Sequence, residues 1–276
     1  MQCIIIKINN YNFAIMRSKV YILLFFLIIK SSFSQDLFSV DSCHEKSRKS
    51  ALVILNGFGS SKDSRLIQQD FFNDRGYDLF IPDFINRSSL EKTVSNFISF
   101  YYDNLEEYKE VKFLCYILGG YVLNEHINSN GIGNITSIIY DRSPVQERAP
   151  VVAVSKIPLL SFLLYGNVIF EFSLEKICNL EDSRGVNIGM IIESKATKFM
   201  KVFRKYSLNY GGYNFSPEEI DSNFDDYFYT YLDHDEMYTN FDVIGHEIFY
   251  FLSNGKFSKN AKREQYNFNP FSNFPK

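Results

Sequence analysis

Residues 51–59 read ALVILNGFG, an unbroken apolar run that ends in Asn56 and a glycine-rich turn. Apolar runs of this length are typical of strands buried on both faces of a parallel sheet. A helical pattern follows from Asp63 to Arg75 and stops at Gly76. The strand, turn and helix together predict the first unit of an alternating α/β domain.

The same alternation continues along the chain. Short runs rich in apolar and β-branched residues predict strands at 77–84, 111–117, 135–141, 186–193 and 226–233. Helical patterns lie between or after them at 88–105, with a predicted capping box at Ser88 and Glu91, at 119–131 and at 241–255. Before Ala51, only Leu37–Val40 could add a strand. We therefore predict a mostly parallel sheet of six or seven strands with helices on both faces.

The first 34 residues have a different pattern from this domain. Residues 20–29 read VYILLFFLII, after Arg17 and Lys19 and before small residues that end at Ser34. A short apolar run with a basic lead and a small-residue exit is typical of a secretory signal peptide, whereas a spanning helix needs about 20 apolar residues. We expect a leader at 1–34, export to a periplasm or the medium, and one domain at 35–276. An uncleaved leader would instead be a membrane anchor.

Removing the leader makes the chain more acidic. The remaining 25 Lys and Arg against 32 Asp and Glu give a net charge of −7, compared with −3 for the full chain. Such a surface repels phosphate backbones, so nucleic acid is not an expected partner. Three cysteines remain without a C-x-x-C pair, so zinc is not expected. They allow one disulfide, for which Cys43–Cys178 is favoured because Cys115 lies in an apolar strand.

Residues 142–185 interrupt the alternation. They include VVAVSKIPLLSFLLYGNVIFEF, an apolar stretch broken by Pro158 and Gly166. We expect an inserted helical lid with an apolar face, with ordinary core packing as the alternative. The stretch is too interrupted to span a bilayer. After the last helix, the polar tail at 256–276 is expected to lie loosely on the surface.

Three segments resemble the α/β-hydrolase superfamily, across about residues 50–255. ALVILNGFGSSKD resembles its first catalytic strand and oxyanion-hole loop, with Asn56 where the family usually has His. VKFLCYILGGYVLNEHI resembles its nucleophile strand, elbow and helix, and YLDHDEMYTNFDVIGHEIFYFLSNG resembles its catalytic-His loop and last helix. The resemblance implies that the backbone of Gly57, Phe58 and Gly59 supplies the oxyanion donors. The insert also lies where that family often has a lid.

The elbow departs from the family pattern. Family members read G-x-S-x-G because a sharp strand-to-helix turn exposes the Ser hydroxyl. Aligning the last Gly on Gly119 places Ile117 at the nucleophile position, and shifting the alignment by one places Leu118 there. Neither side chain can attack a carbonyl. Cys115 lies inside the strand, where a thiol is expected to be inert packing. The pattern predicts a pseudoenzyme with respect to ordinary Ser-hydrolase chemistry.

The resemblance places the general base at His234, in the loop after the sixth strand. Its neighbours Asp233, Asp235 and Glu236 are expected to raise its pKa. A metal site in this loop is not expected, because adjacent side chains of one short loop cannot all converge on one ion. The remaining histidines are predicted to lie on the surface: His44, His126 and His246.

Two strand-end carboxylates could orient His234. Glu193 ends the fifth strand, where the family usually has its acid a few residues on, and Asp141 ends the fourth, from which some relatives supply it. A carboxylate can hold the tautomer of the histidine from either place. The alternative for each is a local backbone cap.

The stretch YDRSPVQERAP at 140–150 concentrates charge at the carboxyl end of the sheet, where open α/β sheets bind ligands. Arg142 and Arg148 could hold a carboxylate or phosphate in a bidentate manner. The alternative is an internal network with Asp141 and Glu147 that tethers the lid.

Three functions remain open. The preferred one is an exported α/β-hydrolase-like protein without the Ser nucleophile that binds an amphipathic or anionic small molecule. The second is an ester or thioester hydrolase in which His234 acts as general base on water. The third is a protein- or membrane-interaction module with a vestigial pocket, in contact through the leader or the lid. No cofactor and no metal is expected in any of them.

Overall fold

A seven-stranded sheet forms the middle of the domain in the computed structural model, which describes residues 36–40, 45–176, 180–181, 183–208 and 212–272. Its strands, in chain order, are β1 (Leu37–Ser39), β2 (Ser50–Leu55), β3 (Asp78–Ile81), β4 (Glu110–Cys115), β5 (Ile135–Arg142), β6 (Asn187–Glu193) and β7 (Asp226–Thr230). They lie in the order β1-β3-β2-β4-β5-β6-β7. All neighbours pair in parallel except β1, which is antiparallel to β3. The predicted mostly parallel α/β class is confirmed.

Helices connect these strands and cover the sheet. In the described residues they are α1 (Lys62–Phe72), α2 (Leu90–Asn104), α3 (Ile117–Asn130), α4 (Ala149–Lys156), α5 (Pro158–Tyr165), α6 (Val168–Phe172), α7 (Lys198–Val202), α8 (Arg204–Ser207), α9 (Pro217–Ile220), α10 (His234–Met237) and α11 (Phe241–Asn254). The predicted strands and long helices all occur, with ends that differ by up to three residues. The predicted cap of α2 shifts by one residue, because Ser89 and not Ser88 accepts the backbone N–H of Lys92.

Strand β2 explains why its apolar run is unbroken. Alternate side chains point to opposite faces of a strand. Val53 and Leu55 join the apolar cluster under α2 and α3, whereas Leu52 and Ile54 join the cluster under α1 and α11. Both faces of this strand are covered, so every position must be apolar.

The strand order changes direction between β2 and β4, because the chain runs from β2 to β3 on one side and then returns to β4 on the other. Crevices at such switch points are where open α/β sheets bind ligands. Helix α3 packs very close to β2 here. A Cβ added to Gly119 would lie 2.2 Å from the carbonyl oxygen of Leu55, so only glycine fits. The loop after β2 and the start of α3 therefore lie side by side.

The C-terminal segment is packed, so the expectation of a loose tail is wrong for residues 256–272. Phe257 is 4% exposed and packs against Phe251 and Phe228. Gly189 leaves the space for these rings, since a Cβ there would lie 2.8 Å from Phe251 and 2.9 Å from Phe257. The sequence of this segment is polar on average, and its few aromatic residues provide the packing.

Three helices, α4 to α6, follow β5 where the insert was predicted. Among the described residues no single helix has both the length and the apolar character to cross a membrane. One bent pair, Gln146–Lys156 with Pro158–Tyr165, meets those criteria jointly, with an angle of 117° between its halves. The leader at 1–34, Cys43 and Cys178 lie outside the described residues. Cys115 is a free, buried thiol, and burial raises its pKa well above the usual value.

Candidate active site

His234 lies at the carboxyl edge of the sheet, as the first residue of α10. The backbone of this short helix is held by a capping box, in which Asp233 accepts the N–H of Glu236 and Glu236 accepts the N–H of Asp233. The imidazole is buried, with 6% of the residue exposed. The cap fixes the position at which the ring meets the ends of β5 and β6.

The structure brings both predicted acids to the same nitrogen. His234 Nδ1 lies 2.6 Å from Glu193 Oε1 and 3.2 Å from Asp141 Oδ2. Strand register explains the convergence, because β5 and β6 are paired neighbours and both acids lie at their carboxyl ends. The sequence offered Glu193 and Asp141 as alternatives, and the geometry places the two together.

Two carboxyls and one imidazole in a buried site must share protons to limit their net charge. Burial raises the pKa of Glu193 well above its usual value, and the negative charge of Asp141 adds to this effect. Burial alone would lower the pKa of His234, but the two carboxyls outweigh it and raise the pKa well above 6.5. We assign a protonated Glu193 hydrogen-bonded to Asp141, beside an imidazolium. This assignment gives a neutral cluster and partners for carboxyl oxygens that otherwise lack them among the described residues.

Asp141, Glu193 and His234 are also the residues that could hold a metal ion, since one ligand atom from each lies within 4.8 Å of the others. However, the 2.6 Å between Nδ1 and Oε1 is the length of a charge-assisted hydrogen bond. Two ligands of a tetrahedral ion at about 2.0 Å would stand roughly 3.3 Å apart. The geometry is that of a hydrogen-bonded pair.

Tyr238 occupies the other side of the imidazole. Its hydroxyl lies 3.1 Å from His234 Nε2 and lies close to the backbone of Gly57. The ring packs on the predicted oxyanion loop, because Cβ atoms at Gly57 and Gly59 would lie 3.1 Å and 3.0 Å from it. The residue is 2% exposed. A phenol therefore fills the space between the general-base nitrogen and the predicted oxyanion donor.

A second tyrosine holds the Tyr238 side chain in this position. The Tyr116 ring stacks on the Tyr238 ring, with 4.2 Å between centroids. Its hydroxyl donates to the backbone oxygen of Met237, at 2.9 Å. Asn56, the residue in the position of the family His, forms a reciprocal pair of amide hydrogen bonds with Gln68. This side of the site is thus lined by hydrogen-bonded amide side chains and stacked rings.

The start of α3 has an ordinary backbone. Ile117 is the first residue of the helix and packs against the apolar cluster beneath α2 and α3. In the described residues Asp74 is the one non-glycine residue with a positive φ, so neither Ile117 nor Leu118 has the strained turn of a nucleophile elbow. Phe58, between the two glycines, points to the inserted helices and packs on Tyr165 and Phe172.

Arg142 is engaged within the chain. Its Nε donates to Glu147 and its Nη1 to Asp221, each at 2.8 Å, while Nη2 donates to the backbone oxygen of Ile220. The predicted internal network is thus found with Glu147, but its second carboxylate is Asp221 and not Asp141. The ligand role of Arg142 has no support in these contacts. Arg148 lies apart, with its guanidinium 4.5 Å above the ring of Tyr213.

Two details of the predicted site are corrected. The carboxylates beside His234 in sequence do not set its pKa, because Asp233 and Glu236 form the helix cap and pair with Lys195. His126 is 2% exposed, between aromatic rings of α2, and burial lowers its pKa to about 4. It is therefore not a surface residue, whereas His246 is exposed as predicted. His44 lies outside the described residues.

The open space at this edge is small. A cavity of about 10 Å³, room for about one water molecule, lies beside Asp141 and is lined by Tyr116, Ile117, Asn124 and Tyr140.

Three residues of the site were not predicted from the sequence: Tyr238, Tyr116 and Gln68. A usable signal existed for Tyr238 alone, since a residue four positions after His234 lies one helical turn away.

Comparisons with known proteins agree with this architecture. The chain resembles a solved Bacillus licheniformis lipase, BlEst2, with a TM-score of 0.56 and 13% identity over 79% of this chain and 96% of the lipase. Mouse alpha/beta hydrolase domain-containing protein 10 matches with a TM-score of 0.47 and 11% identity, over 80% of this chain and 97% of the mouse protein. The Pyrococcus furiosus esterase Pf2001 matches with a TM-score of 0.48 and 14% identity, over 80% of this chain and 89% of the esterase. No protein-family model and no curated protein sequence matches the chain. The described domain therefore has the α/β-hydrolase fold.

Proposed function

We propose that this chain is an exported α/β-hydrolase-like protein that does not hydrolyse esters and that acts by binding. One observation carries the proposal: the Tyr238 hydroxyl is hydrogen-bonded to His234 Nε2 and packs against Gly57, where a Cβ would lie 3.1 Å from its oxygen. In an acyl-transfer site the nucleophile uses the histidine and the oxyanion uses the amide. A buried phenol competes with both.

The identity and backbone of Ile117 support the same proposal. Its hydrocarbon side chain offers no nucleophile, and it begins α3 without positive φ. The cavity of about 10 Å³ beside Asp141 has room for about one water molecule and for no larger ligand. We therefore favour binding through the outer surface over binding of a small molecule inside the site.

A hydrolysis panel tests the proposal directly. Esters and thioesters with short, medium and long acyl chains would be offered to the full chain and to residues 35–276. We expect turnover at the buffer background for both. His234→Ala is the diagnostic variant, and the exposed His246→Ala is its matched control. Turnover that disappears in His234→Ala but persists in His246→Ala would refute the proposal.

A second candidate, hydrolysis by water with His234 as general base, is favoured by the 2.6 Å contact that orients the imidazole. In this case Tyr238 only blocks access to His234, and removing it would expose an active site. Tyr238→Ala would then raise ester turnover by ~10²-fold or more, and adding His234→Ala would abolish the gain. If Tyr238→Ala stays folded and gains nothing, this candidate fails.

A further inference from the structure

Helix α5 reverses the usual arrangement of a surface helix. Its sequence, PLLSFLLY, carries no charge, and its one buried residue is Ser161. Leu159, Phe162 and Leu163 are 71%, 52% and 48% exposed. Helices of a globular domain normally bury the apolar stripe and expose the polar residues. The three apolar side chains, spaced to lie on one stripe, need a partner outside the described domain.

A basic segment lies later in the chain. Residues 195–216 contain five cations and no Asp or Glu, in a chain whose net charge is −3. Lys195 pairs with Glu236, whereas Lys198, Arg204 and Lys205 are exposed. Val202 is also 77% exposed. The segment therefore combines solvent-facing cations with solvent-facing apolar side chains, the composition that favours a membrane surface.

Lys156 connects the two features. It ends α4, two residues before α5 begins, and its Nζ lies 4.0 Å from the ring centroid of Tyr206 in α8. The end of α4, from which the chain continues into α5, is thus in contact with α8. We call the exposed side chains of α5 and of residues 198–208 the apolar–basic face.

We infer that the apolar–basic face binds the surface of an anionic lipid bilayer. Leu159, Phe162 and Leu163 would enter the boundary between headgroups and acyl chains, while Arg204 and Lys205 would approach the anionic headgroups. Charge complementarity decides the partner, because an otherwise acidic protein is repelled by an anionic surface except where its cations cluster. The inference rests on the proposal that the protein acts by binding, but it needs no opening of the site at His234.

Vesicle co-sedimentation tests the inference, with phosphatidylcholine vesicles compared with vesicles that also contain phosphatidylserine. The protein would begin at Gln35, since residues 35–276 form a compact unit of their own and the apolar leader would bind lipid by itself. A single cooperative thermal transition would establish that this chain and each variant are folded. We expect binding to the anionic vesicles that weakens as salt increases.

Two pairs of variants separate the two components of the face. Arg204→Glu/Lys205→Glu should weaken binding by at least ~25-fold, since each cation near the surface contributes about fivefold. Lys256→Glu/Lys259→Glu makes the same charge change elsewhere and should match the unaltered protein. Leu159→Ser/Phe162→Ser should weaken binding by tenfold or more, whereas Leu66→Ser, at another exposed apolar residue, should not.

Three outcomes would overturn the inference. The first is equal binding to both vesicle types, and the second is binding that neither face variant changes. The third is no vesicle binding but a dimer in solution that Leu159→Ser/Phe162→Ser dissociates, which would assign the face to a second copy. Failure of the proposed function is read separately, because ester turnover sensitive to His234→Ala would refute that proposal whether or not vesicles are bound.

Discussion

The two halves of the carboxyl edge of the sheet differ in chemical character. At the ends of β5 and β6, Asp141, Glu193 and His234 form a buried, hydrogen-bonded cluster of ionisable groups. At the ends of β2 and β4, the chain has Ile117 at the helix start and Tyr238 over the glycine loop.

Physical chemistry explains what each half contributes. Ile117 packs on a hydrophobic cluster and needs no polar partner. Removing one member of a buried ionisable cluster leaves an uncompensated charge, which is strongly destabilising. This comparison predicts that the ionisable cluster contributes to the stability of the fold.

The largest expected effect is that of His234→Ala. The change leaves the carboxyls of Asp141 and Glu193 facing each other without a cation, so the free energy of unfolding should fall by about 3–5 kcal/mol. Urea unfolding would measure it, with the exposed His246→Ala as control, for which a change within about 0.5 kcal/mol is expected. A loss for His234→Ala as small as that of the control would mean that the cluster is not structural.

Tyr238→Phe tests the other half. The change keeps the stacked ring but deprives His234 Nε2 of its partner, which should lower the free energy of unfolding by about 1–3 kcal/mol. Tyr250→Phe removes a hydroxyl from a residue that is 39% exposed and should have almost no effect. If the two variants unfold alike, Tyr238 fills space without serving the polar groups around it.

The pH dependence of stability checks the proton assignment. The pKa values of His234 and Glu193 are raised in the folded state, so the native protein binds more protons than the unfolded chain above pH 6.5. The free energy of unfolding should therefore fall as the pH rises above 6.5, by up to about 1.4 kcal/mol per unit for each proton. His234→Gln/Glu193→Gln should flatten this slope. The pKa of His126 is shifted in the opposite direction, to about 4. This residue therefore changes the stability between about pH 4 and 6.5, below the pH range of this test.

Glu193→Gln should have the smallest effect. If Glu193 is protonated, an amide can donate to Asp141 and accept from His234 in the same way, and the free energy of unfolding should change by less than about 1 kcal/mol. Glu193→Ala, which removes the group, should cost more than twice as much. Equal losses in both variants would show that Glu193 is ionised in the folded protein.

Local patterns in the sequence were sufficient to predict most of the fold. Apolar runs such as ALVIL identify strands covered on both faces, and they predicted β2 and its parallel neighbours. The short β1 was predicted only as a candidate. The tail was mispredicted, because Phe257 fills a space that only the close approach of Gly189 and Phe251 creates. Burial of that kind depends on contacts between distant segments, which composition does not encode.

The site was predicted in part, for a similar reason. Strand-end carboxylates and a His after the last strand can be located from sequence, because parallel strands end at one edge. That both acids reach one nitrogen depends on the register of β5 against β6. The role of Tyr238 depends on a side-chain direction and on two glycines far away in the chain. His126 was misassigned because its aromatic neighbours Phe97 and Tyr101 come from another helix.

The packed C-terminal segment also has a consequence for handling the protein. The outer edge of β7 would offer unpaired backbone groups to another chain, and such edges promote aggregation. Here the Tyr229 N–H donates to the Lys262 carbonyl, and the Asp226 carboxylate binds the Phe257 amide and Arg263. The C-terminal segment therefore covers the outer edge of the sheet and occupies its hydrogen-bonding groups. A chain cut before residue 256 is expected to give insoluble protein, even though every strand would still be encoded.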